Sequence, residues 1–309
     1  MYESFYGLRE KPFSILPDPD YLYMGQLHAL AYTVLESSLK DGVGFTVMTG
    51  DVGCGKTTLI RHLLNNIDQK TTVGLISNTS PDIDDLLKWV LLAFNQPYES
   101  SDKVSLFDQL QHFLTDQHGK GRRTALIIDE AQNLSRETLE ELRVLSNFNA
   151  YGPQLLQVLL VGQPQLKTLL RGKDMEQLAQ RVSSDFHIGP LFGREVADYI
   201  VHRLRVAGRE EPLFEETAVE LIAAVSEGVP RKVNYFSDMA MFYGHGAGKK
   251  MVTASLVSEV LLAKANDIFP TKQQTFSDPL SEQDKLPGRT HLFNIDRFTK
   301  KLFPALAKK

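Results

Sequence analysis

Runs of apolar residues and helical periodicity alternate along the first two thirds of this chain. LHALAYTVLESSL, within residues 26–40, repeats its apolar positions at three and four residues and predicts a helix. An apolar run at 43–49 predicts a buried strand, and 57–67 a helix. TTVGLIS at 71–77 predicts a second strand, followed by helices near 82–94 and 104–118. RTALIIDE at 123–130 is a third strand ending in two acids, and a helix follows at 135–148. QLLQVLLVG at 154–162 is a fourth strand. Strands separated by helices argue for an α/β fold, with a parallel sheet covered on both faces.

The pattern changes near residue 190. REVADYIVHRLRVAG, EETAVELIAAVSEG, PRKVNYFSDMAMFYG and TASLVSEVLLAKAND all read as helices and predict a helical domain over about 191–268. Ahead of the first helix, residues 1–25 hold EKPFSILPDPDYLY, an irregular arm whose Phe5, Tyr6, Phe13, Tyr21 and Tyr23 call for burial. The polar, proline-punctuated stretch 269–290 reads as a linker.

The segment 291–309, HLFNIDRFTKKLFPALAKK, can place Leu292, Ile295, Phe298, Leu302 and Leu306 on one helical face. Arg297, Lys300, Lys301, Lys308 and Lys309 make it basic. It suits either peripheral contact with an anionic membrane or a partner, or packing on its own chain. Pro304 would interrupt a continuous helix there.

Composition narrows this picture only a little. Of 309 residues, 42% are apolar and 23% charged, enough for a substantial core. The net charge of -4 does not describe a surface built to seek nucleic acid, though a local basic patch is compatible with it. The single cysteine, Cys54, excludes an intrachain disulfide and a cysteine-rich metal site. The N-terminus lacks the pattern of a signal peptide, and no apolar run approaches the about 20 residues of a membrane span. The expected location is cytoplasmic, with attachment to a larger assembly left open.

The candidate chemistry begins at GDVGCGKTT, residues 50–58, between a predicted strand and a predicted helix. Gly50, Gly55, Lys56 and Thr57 match the phosphate-loop spacing, and Gly53 adds a permissive position. Successive amides of such a loop can face phosphate oxygens, and the following helix adds its free N-terminal amides. The expected nucleotide-binding set is Gly50, Asp51, Val52, Gly53, Cys54, Gly55, Lys56, Thr57 and Thr58. Lys56 would bridge the outer phosphates, and the Thr57 hydroxyl would ligate magnesium. The alternative is a plain strand–helix turn.

Asp129 and Glu130 end a buried strand, where carboxylates are costly unless hydrated, paired or near a metal. Asp129 suits a magnesium ligand, direct or through water, and Glu130 a base that polarises the attacking water. The competing reading is an acid pair that starts a turn and caps the next helix. Gln163, after the fourth strand, either senses the outer phosphate or is a polar turn residue before Pro164. Arg181 either reaches a neighbouring subunit's nucleotide or is structural. Arg231, which begins a helix of the second domain, either folds over the phosphates or plays no part there.

His28 and His187 lack a spaced ligand set and read as packing residues. Cys54 in the loop is either an inert small side chain or a thiolate favoured by helix-start amides.

Together these residues resemble the AAA+ ATPases, and more narrowly the ExeA or general secretion pathway protein A group. MYESFYGLREKPFSILPDPDYLY, GDVGCGKTT, LIIDEAQNLS, LLQVLLVGQPQL, QLAQRVSSDFHIGPL and GVPRKVN follow in that group's order, over about residues 1–268. The resemblance implies a P-loop NTPase three-layer sandwich with a parallel five-stranded sheet ordered 5-1-4-3-2, then a helical lid. It implies ATP/ADP and Mg2+ as ligands, with nucleotide, magnesium and hydrolysis roles for Lys56, Thr57, Asp129 and Glu130. Gln163 matches the sensor-one region, Arg181 an arginine finger and Arg231 the sensor-two arginine. Pro12, Phe13, Leu22 and Tyr23 would lie near the adenine.

The resemblance further implies a homo-oligomeric ring, often a hexamer. Related branches serve secretion, pilus and polysaccharide systems, so a protein partner in envelope assembly is expected. Secretion protein A continues into a transmembrane segment and a peptidoglycan-binding region. This sequence shows neither, which points to the short, soluble branches. Transposition ATPases share the DEAQ-like core, so a DNA-associated role is the main alternative, beside a nucleotide-binding scaffold.

Overall fold

The computed structural model describes residues 2–41, 44–77, 79, 85–99, 102–146 and 155–265. The predicted linker 269–290 and the basic segment 291–309 lie outside the described residues, as do 82–84 of the predicted helix 82–94 and 147–148 of 135–148.

Five strands build one sheet: β1 (Phe45–Gly50), β2 (Thr71–Ile76), β3 (Arg123–Ile128), β4 (Gln157–Gly162) and β5 (Val182–Ile188). Their order is β2-β3-β4-β1-β5, and every pairing is parallel. Read from the β5 edge this is the expected 5-1-4-3-2. β1 and β4 are buried at every position, because each has a strand on both sides and helices on both faces. That is why both appear in the sequence as unbroken apolar runs. β5 lies at an edge and only alternate residues are covered. Ser183, Asp185 and His187 face outward, so its sequence carries no such run.

On one face, α1 (Gln26–Asp41) and α2 (Lys56–Asn65) pack Leu35, Leu59 and Leu63 over Met48, Ile127 and Val161. The other face carries α3 (Leu86–Ala93), α4 (Lys103–Gly119), α5 (Arg136–Leu145), α6 (Gln165–Leu170) and α7 (Glu176–Ala179). There Leu91, Leu106 and Leu139 cover Val47, Leu126 and Leu160. Because the strands are parallel, Gly50, Ile128 and Gly162 all end at the same sheet edge.

A helical lid follows: α8 (Glu195–Val206), α9 (Glu216–Ser226), α10 (Pro230–Gly246) and α11 (Ala254–Ala265). Its core is shared with the N-terminal arm. Tyr2, Tyr6, Leu8, Phe13 and Tyr21 are buried among lid residues such as Ile200, Phe214 and Met241. The arm precedes the sheet in sequence yet folds with the lid, which follows it. Tyr6 donates its hydroxyl to the Met241 carbonyl at 3.1 Å, and Arg209 donates to the Tyr6 carbonyl at 2.5 Å. The lid also holds the start of α1. Glu195 Oε1 accepts the Gln26 amide at 2.7 Å, satisfying a helix-terminal donor.

Candidate functional site

The glycine loop spans the gap between β1 and α2 at the C-terminal sheet edge. Gly53 and Gly55 have φ of 85° and 91°, which side-chain-bearing residues rarely adopt. Space is also short: a Cβ on Gly50 would come within 2.6 Å of the Ile188 carbonyl oxygen, and one on Gly53 within 2.6 Å of Arg231 Cβ. Gly55 occupies the N-cap of α2, so no side chain caps that helix. Its first-turn amides remain for another acceptor, and the helix dipole favours an anion. Lys56 is buried, 6% exposed, and donates to the carbonyls of Gly50 and Asp51 at 2.8 and 3.1 Å.

Support for the loop comes from α1. His28 is buried beneath it and donates from Nε2 to the Cys54 carbonyl at 2.8 Å. A carbonyl can only accept, so the proton sits on Nε2. Burial holds the imidazole pKa below its ordinary value, against the smaller opposing effect of that bond. Cys54 is fully buried and burial pushes its thiol pKa up, in keeping with the reading of an inert small side chain. His187 pairs with the Thr49 hydroxyl at 3.1 Å, within the sheet.

Facing the loop is the end of β3. Asp129 is 4% exposed, and its Oδ2 accepts the Thr57 hydroxyl at 2.9 Å. Its Oδ1 accepts the Glu130 amide at 2.9 Å. Burial raises the Asp129 pKa, partly offset by these two bonds. The acids do not cap α5, whose N-cap is Ser135 with its hydroxyl accepting the Thr138 amide at 3.1 Å; Glu130 stands at the N-cap of a short 3-10 turn, Ala131–Asn133, without a side-chain capping bond. Glu130 takes the left-handed conformation at φ 54°, uncommon for a glutamate and costly unless the surroundings impose it. Thr79 helps impose it by donating to the Glu130 carbonyl at 2.7 Å. Gln163 lies 3.4 Å from Glu130 through its side-chain amide.

Between loop and lid runs a cleft of about 210 Å³. Gly53, Gly55, Lys56, Thr57 and Thr58 line one end together with Glu130. The other end is walled by arm residues 14–18 and 21–23, and by Leu191, Tyr199, Arg203 and Asn234 of the lid region. Leu22 and Tyr23 line the cleft. Pro12 and Phe13 do not. Phe13 is buried against Phe214 in the lid core, and the Pro12 carbonyl accepts from Arg203. Gly50, Asp51 and Cys54 shape the loop without lining the cleft, whereas Val52 lines it.

Arg203 went unnoticed in the sequence, where it looks like one more polar position of α8. Its guanidinium is 4.5 Å from the Tyr21 ring and donates to the Tyr199 hydroxyl at 3.1 Å. It also donates to the Ser14 carbonyl at 3.4 Å, which Asn234 bonds at 3.2 Å. Arg231 begins α10 directly over the loop, its amide donating to the Gly53 carbonyl at 3.2 Å. Arg181 lies elsewhere. It precedes β5 at the opposite end of the sheet, where its carbonyl accepts the Phe45 amide and its guanidinium bonds Ser146 Oγ at 2.5 Å.

The side chains fit a magnesium nucleotide. A hydroxyl and a carboxylate meet beside a loop whose Gly50 and Gly53 have no room for a Cβ and whose following helix has no side-chain cap. Among the described residues no cluster of three His, Cys, Asp or Glu could hold a metal by itself. Magnesium, which keeps waters and takes phosphate oxygens, does not require one.

These features define the α/β AAA+ fold: a parallel five-stranded sheet with a phosphate loop, followed by a helical lid. A family described as "AAA domain" matches residues 39–170. The chain is also 39% identical over 259 residues to general secretion pathway protein A of Aeromonas hydrophila, covering 84% of this chain and 47% of that protein. It thus spans about half the relative's length. The chain carries an AAA+ domain closely related to general secretion pathway protein A.

Solved structures share the fold at low identity. The Aeropyrum pernix ORC2 protein, in its ADPNP–ADP complexes, superposes with a TM-score of 0.63 at 18% identity, over 82% of this chain and 71% of that one. A Walker-type ATPase of Pyrococcus abyssi gives 0.57 at 17%, over 82% and 76%. Among the described residues no helix is long and apolar enough to cross a membrane.

Proposed function

We propose that this chain is a magnesium-dependent ATPase that acts as a motor or switch in assembling or operating a bacterial cell-envelope secretion, pilus or polysaccharide system. The observation that carries the ATPase reading is the Thr57–Asp129 bond across the sheet edge, with Lys56 and Glu130 beside it. The envelope role rests on the likeness to general secretion pathway protein A. Magnesium, when bound, would supply the charge that neutralises the phosphates.

In this reading the loop amides and Lys56 bind and orient the triphosphate, and Thr57 and Asp129 hold the metal. Glu130 takes a proton from the attacking water. Arg231 brings the lid against the phosphates, so nucleotide would set the lid's position. Arg181, at the far end of its own sheet, would serve a neighbouring subunit's site in a ring. The working location would be the cytoplasmic face of the inner membrane, with residues 291–309 as a contact to membrane or partner.

Glu130→Gln tests the core of this. Turnover should fall by roughly 10²- to 10⁴-fold while ATP affinity holds, as expected on losing a general base. Hydrolysis by the variant at the parental rate would remove Glu130 from the mechanism. Trapping partners on the ATP-bound variant would then identify the system served. Retention of DNA instead of envelope proteins would favour the DNA-associated alternative.

A further inference from the structure

Gln132 stands two residues beyond the acid pair, half-buried at the start of α5's approach. Its amide is used at both ends. Nε2 donates to Glu130 Oε2 at 2.6 Å, a short, charge-assisted bond. Oε1 accepts the backbone amide of Gln163 at 2.8 Å. One side chain therefore ties the Glu130 carboxylate to the tip of β4.

The surroundings leave Gln132 little freedom. Gly162, the last residue of β4, lies so close that a Cβ there would come within 2.7 Å of Gln132 Oε1. The Glu130 backbone is held in its left-handed conformation, with its carbonyl bonded by Thr79. Gln163 completes a small ring: its amide bonds Gln132, and its side chain lies 3.4 Å from the same Glu130 oxygen. A movement of the β4 tip would be felt at the Glu130 carboxylate through a single intervening side chain.

We propose that Gln132 is the positioning residue that sets the Glu130 carboxylate according to the position of the β4 tip. Gln132 does not touch the reacting atoms. It acts through Glu130, and it joins that carboxylate to the Gln163 backbone at the tip of β4. This rests on the ATPase reading above, because positioning Glu130 matters to turnover only if Glu130 serves the attacking water.

Gln132→Met keeps much of the side-chain length and removes both bonds, together with the 3.3 Å bond from Nε2 to Asn133 Oδ1. It should lower kcat by about tenfold or more, within the range of general-base effects. KM and the affinity for a fluorescent ATP analogue should stay within about twofold, and Tm should fall by no more than a few degrees, the size of one orphaned amide; uniform loss of binding would instead raise KM alone. Gln163→Ala should also lower kcat. Gln163→Ala keeps the backbone amide that Gln132 bonds, so the link from β4 to Glu130 survives and Gln132→Met made on that background should still lower kcat.

Gln132→Glu, which keeps the shape but cannot donate to an ionised Glu130, provides a second variant should Gln132→Met fold poorly. It should show the same loss of kcat. Parental kcat in a folded Gln132 variant, alone or on the Gln163→Ala background, would overturn the proposal while leaving the ATPase reading intact. A parental protein that turns over no ATP in any assembly state would overturn both.

Discussion

The two ends of the cleft are built by different means. At the loop end, nine consecutive residues, 50–58, supply the glycines, the lysine and the hydroxyl, and one strand end supplies the acids. At the other end, arm residues near 14–23 meet lid residues near 191–234, far apart in the chain. The first needs backbone shape and charge at short range, which few residue types can provide. The second needs only a wall, which many side chains could form once the arm is fastened to the lid. Arg203, Tyr199 and Asn234 do that fastening, through bonds to arm carbonyls and to one another.

The sharpest test of this contrast replaces one residue at each end and compares ATP with inorganic tripolyphosphate. Lys56→Ala should weaken both ligands by about tenfold to a hundredfold, the size of a lost hydrogen bond to a charged group. Fluorescence competition would measure it. An equal affinity for tripolyphosphate before and after would detach Lys56 from the phosphates.

Arg203→Met should have a smaller and more selective effect. The arm carbonyls of Pro12 and Ser14 lose a donor, which costs about 1–3 kcal/mol where no water replaces it. Thermal unfolding should shift down by several degrees. ATP affinity should fall while tripolyphosphate affinity holds. Equal losses for both ligands would mean that the arm and the phosphate loop form one unit, and the contrast would fail.

The smallest effect concerns pH. Buried His28 has a lowered pKa in the folded chain, so the folded state favours its neutral form. That stability is present above the unfolded imidazole value, about 6.5, and is lost as pH falls through the lower folded value. His28→Gln keeps an amide able to donate to the Cys54 carbonyl but cannot titrate. Its Tm should fall less than the parent's on going from neutral to mildly acidic buffer. An identical Tm profile would show that His28 plays no part in acid sensitivity.

Much of the fold could be read along the chain because its signals are local. β1, β3 and β4 are covered on both faces and so appear as apolar runs, and the lid helices show their period directly. β5 hid because an edge strand needs only alternate apolar residues, and Ser184 satisfies one of those positions. The arm's aromatic residues called for burial, but nothing in residues 1–25 says that the partner is α8 to α11. Pro12 and Phe13 were therefore expected in the cleft, yet they serve the lid core behind it.

The sequence by itself determined the phosphate loop, the acids at the end of β3 and the alternation that makes a parallel sheet. Each depends on neighbours a few residues away, through backbone freedom, charge and periodic burial. Tertiary structure alone decided that Thr57 meets Asp129, that Gln132 joins Glu130 to β4, that His28 supports the loop and that Arg203 holds the arm. The reason is physical: a hydrogen bond between distant segments leaves no period and no spacing in the chain. It exists only once the packing of apolar faces has brought its two ends together.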